Sequence, residues 1–404
     1  MPVSKVWGVV FAAGLLLAAS CGCAQAANDL ESRVAALEEK LEGSNLLDGL
    51  NLGVGATMVI QGTSNANGSG ITANNIGYKG NETTDASYSA DIELEKEFDN
   101  GAKAFLHLET GEGNGVTDDL ELFSNVNQDA NPAAGVMMVS ELFWEQNFDD
   151  TAILTFGKID SSSYIDANEY AGDECAQFLG SMFKRSPVIE FPDNTIGIRL
   201  GVLAADVVEI EAITADGDAD FNQIADSLWW AVQANLKPEL MGRAGNYRVY
   251  YWYNDAPHTK WNAAAKIKEE GSGFGVSFDQ EITDDVGIFL RCGWQQDEAA
   301  LDTTTFSLES SYSAGMQFNG TLWGRDEDVL GFAYGFIYPS DEYKKAGNLQ
   351  AKTEGHAELY YNYRVNENLS VTPDIQMITN PYGKDAVNGT STILVGGIRT
   401  QIDF

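Results

Sequence analysis

The last ten residues of the chain read VGGIRTQIDF, 395–404. Counting back from Phe404, the residues Ile402, Thr400, Ile398 and Gly396 alternate with Asp403, Gln401, Arg399 and Gly397. A period of two belongs to an extended strand with one apolar and one polar face. A soluble domain more often trails off into a polar tail than stops on such a strand with an aromatic as its last residue.

The same alternation recurs upstream. Leu50, Leu52, Val54, Ala56, Met58 and Ile60 alternate with Asn51, Gly53, Gly55, Thr57 and Gln61. Tyr88, Ala90, Ile92 and Leu94 alternate with Ser89, Asp91, Glu93 and Glu95. The tight turn DNG, Asp99–Gly101, then leads into Ala102, Ala104, Leu106 and Leu108. Sixteen strands are expected from such runs, starting near Leu50, Ala86, Ala102, Val139, Ala152, Ile196, Val207, Leu228, Tyr247, Phe274, Val286, Ser311, Val329, His356, Leu369 and Thr392.

Connections between these strands alternate in length. DNG, DDT after Phe148, AAD after Leu203, TDD after Ile282 and NEN after Val365 are short. The segments 62–84, 111–137, 158–194, 214–227, 255–271, 296–308, 339–354 and 379–391 are long. Short turns on one side and long loops on the other mark an outer-membrane barrel. Two connections, 237–244 and 320–327, fall on the short side but are of middle length. Aromatics separate a barrel from a β-sandwich. Phe98, Phe148, Tyr247, Phe318, Tyr363 and Phe404 fall on the apolar face at the short-turn end, and Tyr253, Trp294 and Tyr338 at the other. Two such belts are expected of a wall in contact with lipid.

Composition agrees. The 404 residues carry 24 Lys+Arg against 60 Asp+Glu, a formal charge of −36, which argues against a nucleic-acid partner. Glycine is plentiful at 41, aromatics make up 11% and proline is scarce at 9, as suits a β protein with many turns. At the start, Lys5, the apolar run VWGVVFAAGLLLAAS and the A-x-A site Ala24–Ala26 predict a signal peptide over 1–26. A membrane anchor and a lipoprotein site at Cys21 are the alternatives weighed. In NDLESRVAALEEKLEG, the residues Leu30, Val34, Leu37 and Leu41 have coiled-coil spacing, so 27–48 is read as an amphipathic helix, a coiled-coil stub on the periplasmic side, with a linker. It serves either as an oligomerisation spacer or as a helix lying on the fold. The barrel then takes 49–404. No later stretch reaches the roughly 18 apolar residues of a membrane helix. Cys175 and Cys292 remain after signal removal and are read as free thiols; neither they nor the scattered His107, His258 and His356 have metal-ligand spacing.

With the polar face turned inward, Arg199, Arg248, Arg291, Arg364 and Arg399 line the lumen. So do the carboxylates Glu93, Glu95, Glu109, Glu209, Glu211, Asp279, Glu358 and Asp374 and the aromatics Tyr250, Trp252, Phe289 and Tyr360. Guanidinium and carboxylate groups offer donors and acceptors to hydroxyls, and opposed charges order water across a pore. Each pair can equally serve to neutralise its partner and stiffen the wall. DGDAD, Asp216–Asp220, spaces Asp as in a calcium loop but has Phe221 for the glycine and Ser227 for the final Glu. It is read as a solvated acidic loop, with a surface cation or lipopolysaccharide contact as the alternative. GEGNG and GSGFG lack the strand-to-helix setting of a phosphate loop, and no nucleophile elbow or zinc-protease motif occurs. No catalytic residue, metal ligand or cofactor is assigned.

Several blocks resemble the carbohydrate-selective porins of the OprB type. They are LTFGKIDSSSYIDANEYAGDECAQFLGSMF, GNYRVYYWYN, GFGVSFDQEITDDVGIFLRCGW, GRDEDVLGFAYGFIYPS and ELYYNYRVNENLSVTPDIQMITNP. The likeness covers most of the chain after residue 50. It implies a sixteen-stranded antiparallel transmembrane β-barrel in the outer membrane of a Gram-negative bacterium, passing sugars and other small hydrophilic solutes by diffusion. It also implies that loop 158–194 folds inward, bringing Asp160, Asp166, Asn168, Asp173 and Glu174 to a constriction. The strong acidity keeps open a general or cation-preferring pore, and a plugged structural or adhesive protein or a soluble exported β protein are further alternatives. Lipid, lipopolysaccharide, the barrel-assembly machinery that reads a terminal aromatic, and a homotrimer are the partners expected. Deleting Phe404 should therefore impair assembly far more than solute passage; quantifying surface-exposed barrel in cells checks this, and normal surface levels would contradict it.

Overall fold

The structure, a computed structural model, describes residues 48–68, 82–129, 135–149, 151–263, 268–386 and 392–404. The expected signal peptide and coiled-coil helix lie outside the described residues. The chain divides into two units, Met1–Leu50 and Asn51–Phe404, and the second is the subject here.

Among the described residues, eighteen strands form one antiparallel sheet. In chain order they are β1 (Leu50–Ser64), β2 (Thr83–Glu97), β3 (Ala102–Glu112), β4 (Met138–Phe148), β5 (Ala152–Ile159) and β6 (Thr195–Ala205). Then come β7 (Val208–Asp216), β8 (Leu228–Leu236), β9 (Glu239–Leu240), β10 (Arg243–Lys260), β11 (Lys268–Thr283) and β12 (Val286–Gln295). The last are β13 (Ala299–Leu301), β14 (Leu308–Asn319), β15 (Val329–Pro339), β16 (Glu354–Asn366), β17 (Leu369–Thr379) and β18 (Thr392–Asp403). β9 and β13 are short additions, and the other sixteen make the wall.

Each wall strand pairs with its sequence neighbour, and β18 also pairs with β1, so the sheet is closed. At the seam Ile60 lies opposite Ile398, Val59 opposite Arg399 and Gly55 opposite Asp403. Phe404 N–H donates to the Val54 carbonyl at 2.9 Å. Register sorts the faces: Ile375 and Ile398 are more than half exposed outside, whereas their neighbours Gln376 and Arg399 are buried inside. Apolar side chains therefore cover the outside and polar ones point inward, the inverse of a soluble domain. Among the described residues no helix is long and apolar enough to cross a membrane.

The aromatic rims are in place. Trp230–Tyr253, Phe274–Trp294 and Tyr312–Tyr338 pair across strands at 5.5, 5.3 and 5.8 Å between ring centroids. At the other rim Phe98, Phe148, Tyr363 and Phe404 are exposed.

Two expectations about connections are corrected. Strands β10 and β11 continue to Lys260 and from Lys268, through most of the expected loop 255–271, because His258 and Thr259 keep pairing with Glu269 and Lys268. The middle-length turns are also more compact than their lengths imply. In 237–242, β9 folds back on β10, with Leu240 opposite Arg243. In 320–328, the 3-10 turn Gly320–Trp323 ends on Gly324 with φ of 81° and is closed by the Arg325–Asp328 ion pair.

A charge on the outer face has no water to meet. Ile398→Arg should destabilise the folded barrel by about 2–4 kcal/mol, read as a lower urea midpoint in lipid vesicles; an unchanged midpoint would contradict the outward assignment of that face.

Candidate functional site

A lumen bounded by sixteen strands is too wide for wall side chains alone to fill. Here two loops enter it. The first, residues 160–194, begins where Asp160 caps the 3-10 turn Ser161–Ser163, accepting from Ser162 N–H at 2.8 Å. Its backbone has no ladder partner, so the inward wall must supply hydrogen bonds.

The wall does so with charged and amide groups. Arg291 donates to the carbonyls of Asp166 (2.9 Å) and Phe183, and its Nε lies 3.1 Å from the Asp166 carboxylate. Asp166 also accepts from Ser186 N–H at 2.7 Å, while its own N–H donates to Gln233 at 2.9 Å. Burial pushes the Asp166 carboxyl up, and Arg291 beside it pulls it back down. Glu358 accepts from the N–H groups of Leu179 (2.6 Å) and Gly180 (3.0 Å). A Cβ at Gly180 would stand 2.6 Å from that carboxylate, so only glycine lets the loop approach. Arg399 donates to the carbonyls of Glu174 (2.6 Å) and Gln177 (2.8 Å). Asn168 donates to Ser277 Oγ and to the Phe278 carbonyl at 3.2 and 3.1 Å.

Apolar contacts reinforce the docking. Phe178, Met182, Phe183 and Val188 of the loop pack with Phe289, Ala333, Ile337 and Tyr360 of the wall. The Phe178 ring stands edge-on to Tyr360 at 4.9 Å. Ile165 and Ile189 pack with Trp229, Tyr250 and Trp252. The core of this barrel thus lies inside it, between loop and wall.

The second inserted loop follows β3, in the segment read from sequence as an external connection. Its Val116, Leu122 and Val126 pack on Ile378, Ile393 and Val395 of the wall. Gln61 and Gln376 both donate to the Val126 carbonyl, at 3.0 and 2.8 Å. Glu354 accepts from Phe123 N–H at 3.0 Å. The two loops also join each other: Gln128 N–H donates to Leu179 O at 2.8 Å and Ser181 N–H to Asn125 O at 3.0 Å. The legible signal was Leu120, Leu122, Phe123 and Val126, an apolar set that an external loop has no use for.

The residues singled out from the sequence fall into two groups. Arg291, Arg399, Glu358, Asp374, Asp279, Tyr250, Trp252, Phe289 and Tyr360 face inward and are buried. Arg199 forks onto Glu211 at 2.6 and 2.7 Å and stacks over Tyr164 of the first loop. Arg248 pairs with Asp279, whose carboxylate also accepts from Glu169 N–H. Asp374 accepts from Gln376 at 3.0 Å. Glu95 pairs with Lys103 at 3.4 Å, Glu209 pairs with Lys237, and Arg364 donates to the Glu367 carbonyl at the short-turn rim. Asp166 and Asn168 are buried docking groups, and Asp173 accepts from Cys175 and Ala176 N–H groups. Glu93, Glu109, Asp160 and Glu174 line open space instead. Cys175, on the loop, and Cys292, on β12, are free thiols. Asp216, Asp218 and Asp220 bring carboxylate oxygens within 4.8 Å of one another at the end of β7.

Among the cavities of the described residues, two share part of their lining. One, of about 560 Å3, reaches from Gly53, Asp403 and Phe404 up past Glu93, His107, Glu109 and Glu141. The other, of about 620 Å3, opens at the far end among Phe123, Arg185, Phe191, Leu301 and Phe306. Gln128, Asp160 and Asn194 line both. Asn194 is held by Ser140, donating to its carbonyl and hydroxyl at 3.2 and 3.0 Å. Burial pushes the Asp129 carboxyl in the first cavity up to about 7, against the pull of the Ser89 hydroxyl and of Arg399.

Comparison with known proteins follows from this geometry. The model of the carbohydrate-selective porin, OprB family matches residues 79–404. The chain is 27% identical over 222 residues to an uncharacterized protein of Aquifex aeolicus, 55% of this chain and 58% of that one. It is 26% identical over 190 residues to Porin B of Pseudomonas aeruginosa, 40% of this chain and 41% of that one. The matches thus span about half the length of these curated relatives. Among solved structures, OprB of Pseudomonas putida superposes with a TM-score of 0.73 at 17% identity, covering 91% of this chain and 97% of the other. The outer membrane channel DcaP of Acinetobacter baumannii gives 0.53 at 12% identity, over 88% and 97%. At these identities the two structures speak for the fold.

Removing Arg291 leaves the Asp166 carboxylate buried and unpaired, a loss of about 3–5 kcal/mol. Arg291→Ala should loosen loop 160–194, seen as protease nicking within it and a larger or noisier unit conductance. Resistance to protease together with unchanged conductance would contradict the docking role.

Proposed function

The chain belongs to the carbohydrate-selective porin, OprB family, and from that premise we propose that it is a passive outer-membrane pore for small hydrophilic solutes, carbohydrates foremost. The observation that supports this reading is a pair of cavities, one lined by Gly53, Asp403 and Phe404 and the other by Phe123, Arg185 and Phe306, that share Gln128, Asp160 and Asn194. A solute takes that route between the inserted loops and β1–β4 in the first cavity and between the same loops and the β12–β14 segment in the second, with those three side chains as its neck.

The lining suits polyhydroxylated solutes. Asn125, Gln128, Asn194 and Gln295 present amides, and Arg185 and Asp160 add a charged donor and acceptor. Phe123, Phe191 and Phe306 offer ring faces at the outer mouth, with Arg185 stacked 6.0 Å from the Phe191 centroid. Rings of this kind pack against the C–H face of a sugar. In this reading the buried arginines of the wall do not touch the solute; they hold the loops that shape its route.

The remaining assignments keep to the same reading. Residues 1–26 are a cleaved signal peptide, 27–48 an amphipathic helix and linker on the periplasmic side, and 49–404 the barrel. Phe404 serves the assembly machinery, lipopolysaccharide surrounds the outer rim, and three copies associate as a trimer.

Purified, folded protein in planar bilayers should give stepwise conductance, and liposomes containing it should swell with monosaccharides faster than with trisaccharides. Absence of stepwise conductance would overturn the pore in favour of a plugged structural barrel.

A further inference from the structure

We infer that the permeation route is selective for cations over anions, and that its solutes beyond neutral sugars are positively charged ones such as amino sugars. The inference rests on the pore reading above and concerns the charge of what passes.

Its basis is an imbalance between free and engaged charges. The periplasmic cavity is lined by Asp91, Glu93, Glu109, Asp129, Glu141 and Asp160, with His107, hydrogen-bonded to Asp91 at 2.8 Å, as its titratable base. Among the described residues, Glu93, Asp129, Glu141 and Asp160 have no lysine or arginine within ion-pair distance. The cations of the lumen are spent elsewhere. Arg199, Arg248 and Arg291 pair with Glu211, Asp279 and Asp166, and Lys184 pairs with Glu174. Arg399 is buried and gives its donors to two loop carbonyls. Arg185, at the outer mouth, is the lining guanidinium with no carboxylate in ion-pair range among the described residues.

Asp129 adds an independent observation. The residue is buried, 8% exposed, and one carboxylate oxygen, Oδ2, has no hydrogen-bond partner among the described residues. The other accepts from the Ser89 hydroxyl at 3.0 Å. Asp129 thus adds a polar, under-satisfied carboxyl to the acidic side of this cavity, while the fixed charge there is carried by Glu93, Glu141 and Asp160.

Physics then sets the direction. A cavity walled by low-dielectric protein and lined by one sign of charge concentrates counter-ions and excludes co-ions. At 0.1 M salt the screening length is about 10 Å, comparable to the width of such a passage, so an anion cannot avoid the field. Asp160 is the acid that every permeant meets, because it lines both cavities and the smaller one beside them.

The test is the reversal potential of purified protein in planar bilayers under a tenfold KCl gradient. A potassium-to-chloride permeability ratio of about five or more is expected at 0.1 M, declining in 1 M salt as the field is screened. The double variant Glu93→Gln with Glu141→Gln, both in the first cavity and outside the neck, should at least halve the ratio. Normal conductance with a ratio near one, or with chloride preferred, would overturn the inference and leave the pore standing. A high ratio that the double variant does not lower would overturn its assignment to this cavity. No conductance at all would overturn the pore and the inference with it. Wild-type liposomes give a second reading that needs no variant: glucosamine should enter faster than glucose and glucuronate slowest, and the reverse order would overturn cation preference.

Discussion

A strand in lipid has no water to satisfy its backbone, so every N–H and C=O of the wall needs a partner on a neighbouring strand. The pairing of β18 with β1 meets that constraint by leaving no edge. Closure has a consequence for the inside. Sixteen strands enclose a space that their own side chains do not fill, and whatever fills it must obey the same rule about buried polar groups. The two inserted loops have little regular structure, so their backbone groups turn to the wall's side chains. Arg291, Arg399, Glu358, Gln61 and Gln376 answer them.

That division of labour explains why a wall rich in arginine can border an acidic passage. Where loop meets wall, guanidinium groups are consumed by carbonyls and carboxylates and lie out of reach of solvent. Where β1 to β4 face no loop, Glu93 and Glu109 remain exposed to open space. On the proposed reading, selectivity is set less by which charges a strand carries than by which of them the loops cover.

Much of the wall was legible in the chain. Period-two alternation located all sixteen long strands, though it cut β10 and β11 short at their shared loop, and outward aromatics distinguished lipid from a soluble core. Both are local signals repeated in every strand. Turn compaction at β9 and at Gly320–Trp323 was not legible, because it depends on a hairpin folding back and on a single ion pair rather than on segment length. The candidate site was legible only in part. Inward arginines and carboxylates follow from alternation, but whether Arg291 meets solute or Asp166 depends on where a loop of 35 residues rests. Resemblance to a family supplied the inward path of 158–194; 111–137 was read as an external loop, although its apolar Leu122, Phe123 and Val126 pointed inward.

The central claim is that all traffic passes one neck between the inserted loops and the wall, at Asp160. A single thiol placed there reports on it most directly. In a background with Cys175→Ser and Cys292→Ser, Asp160→Cys protein would be held in a planar bilayer and exposed to a bulky, membrane-impermeant thiol reagent. Expected is a stepwise and nearly complete block of each conducting unit, reversed by reductant when the adduct is a disulfide. Full labelling with an unchanged current would contradict a single neck at Asp160.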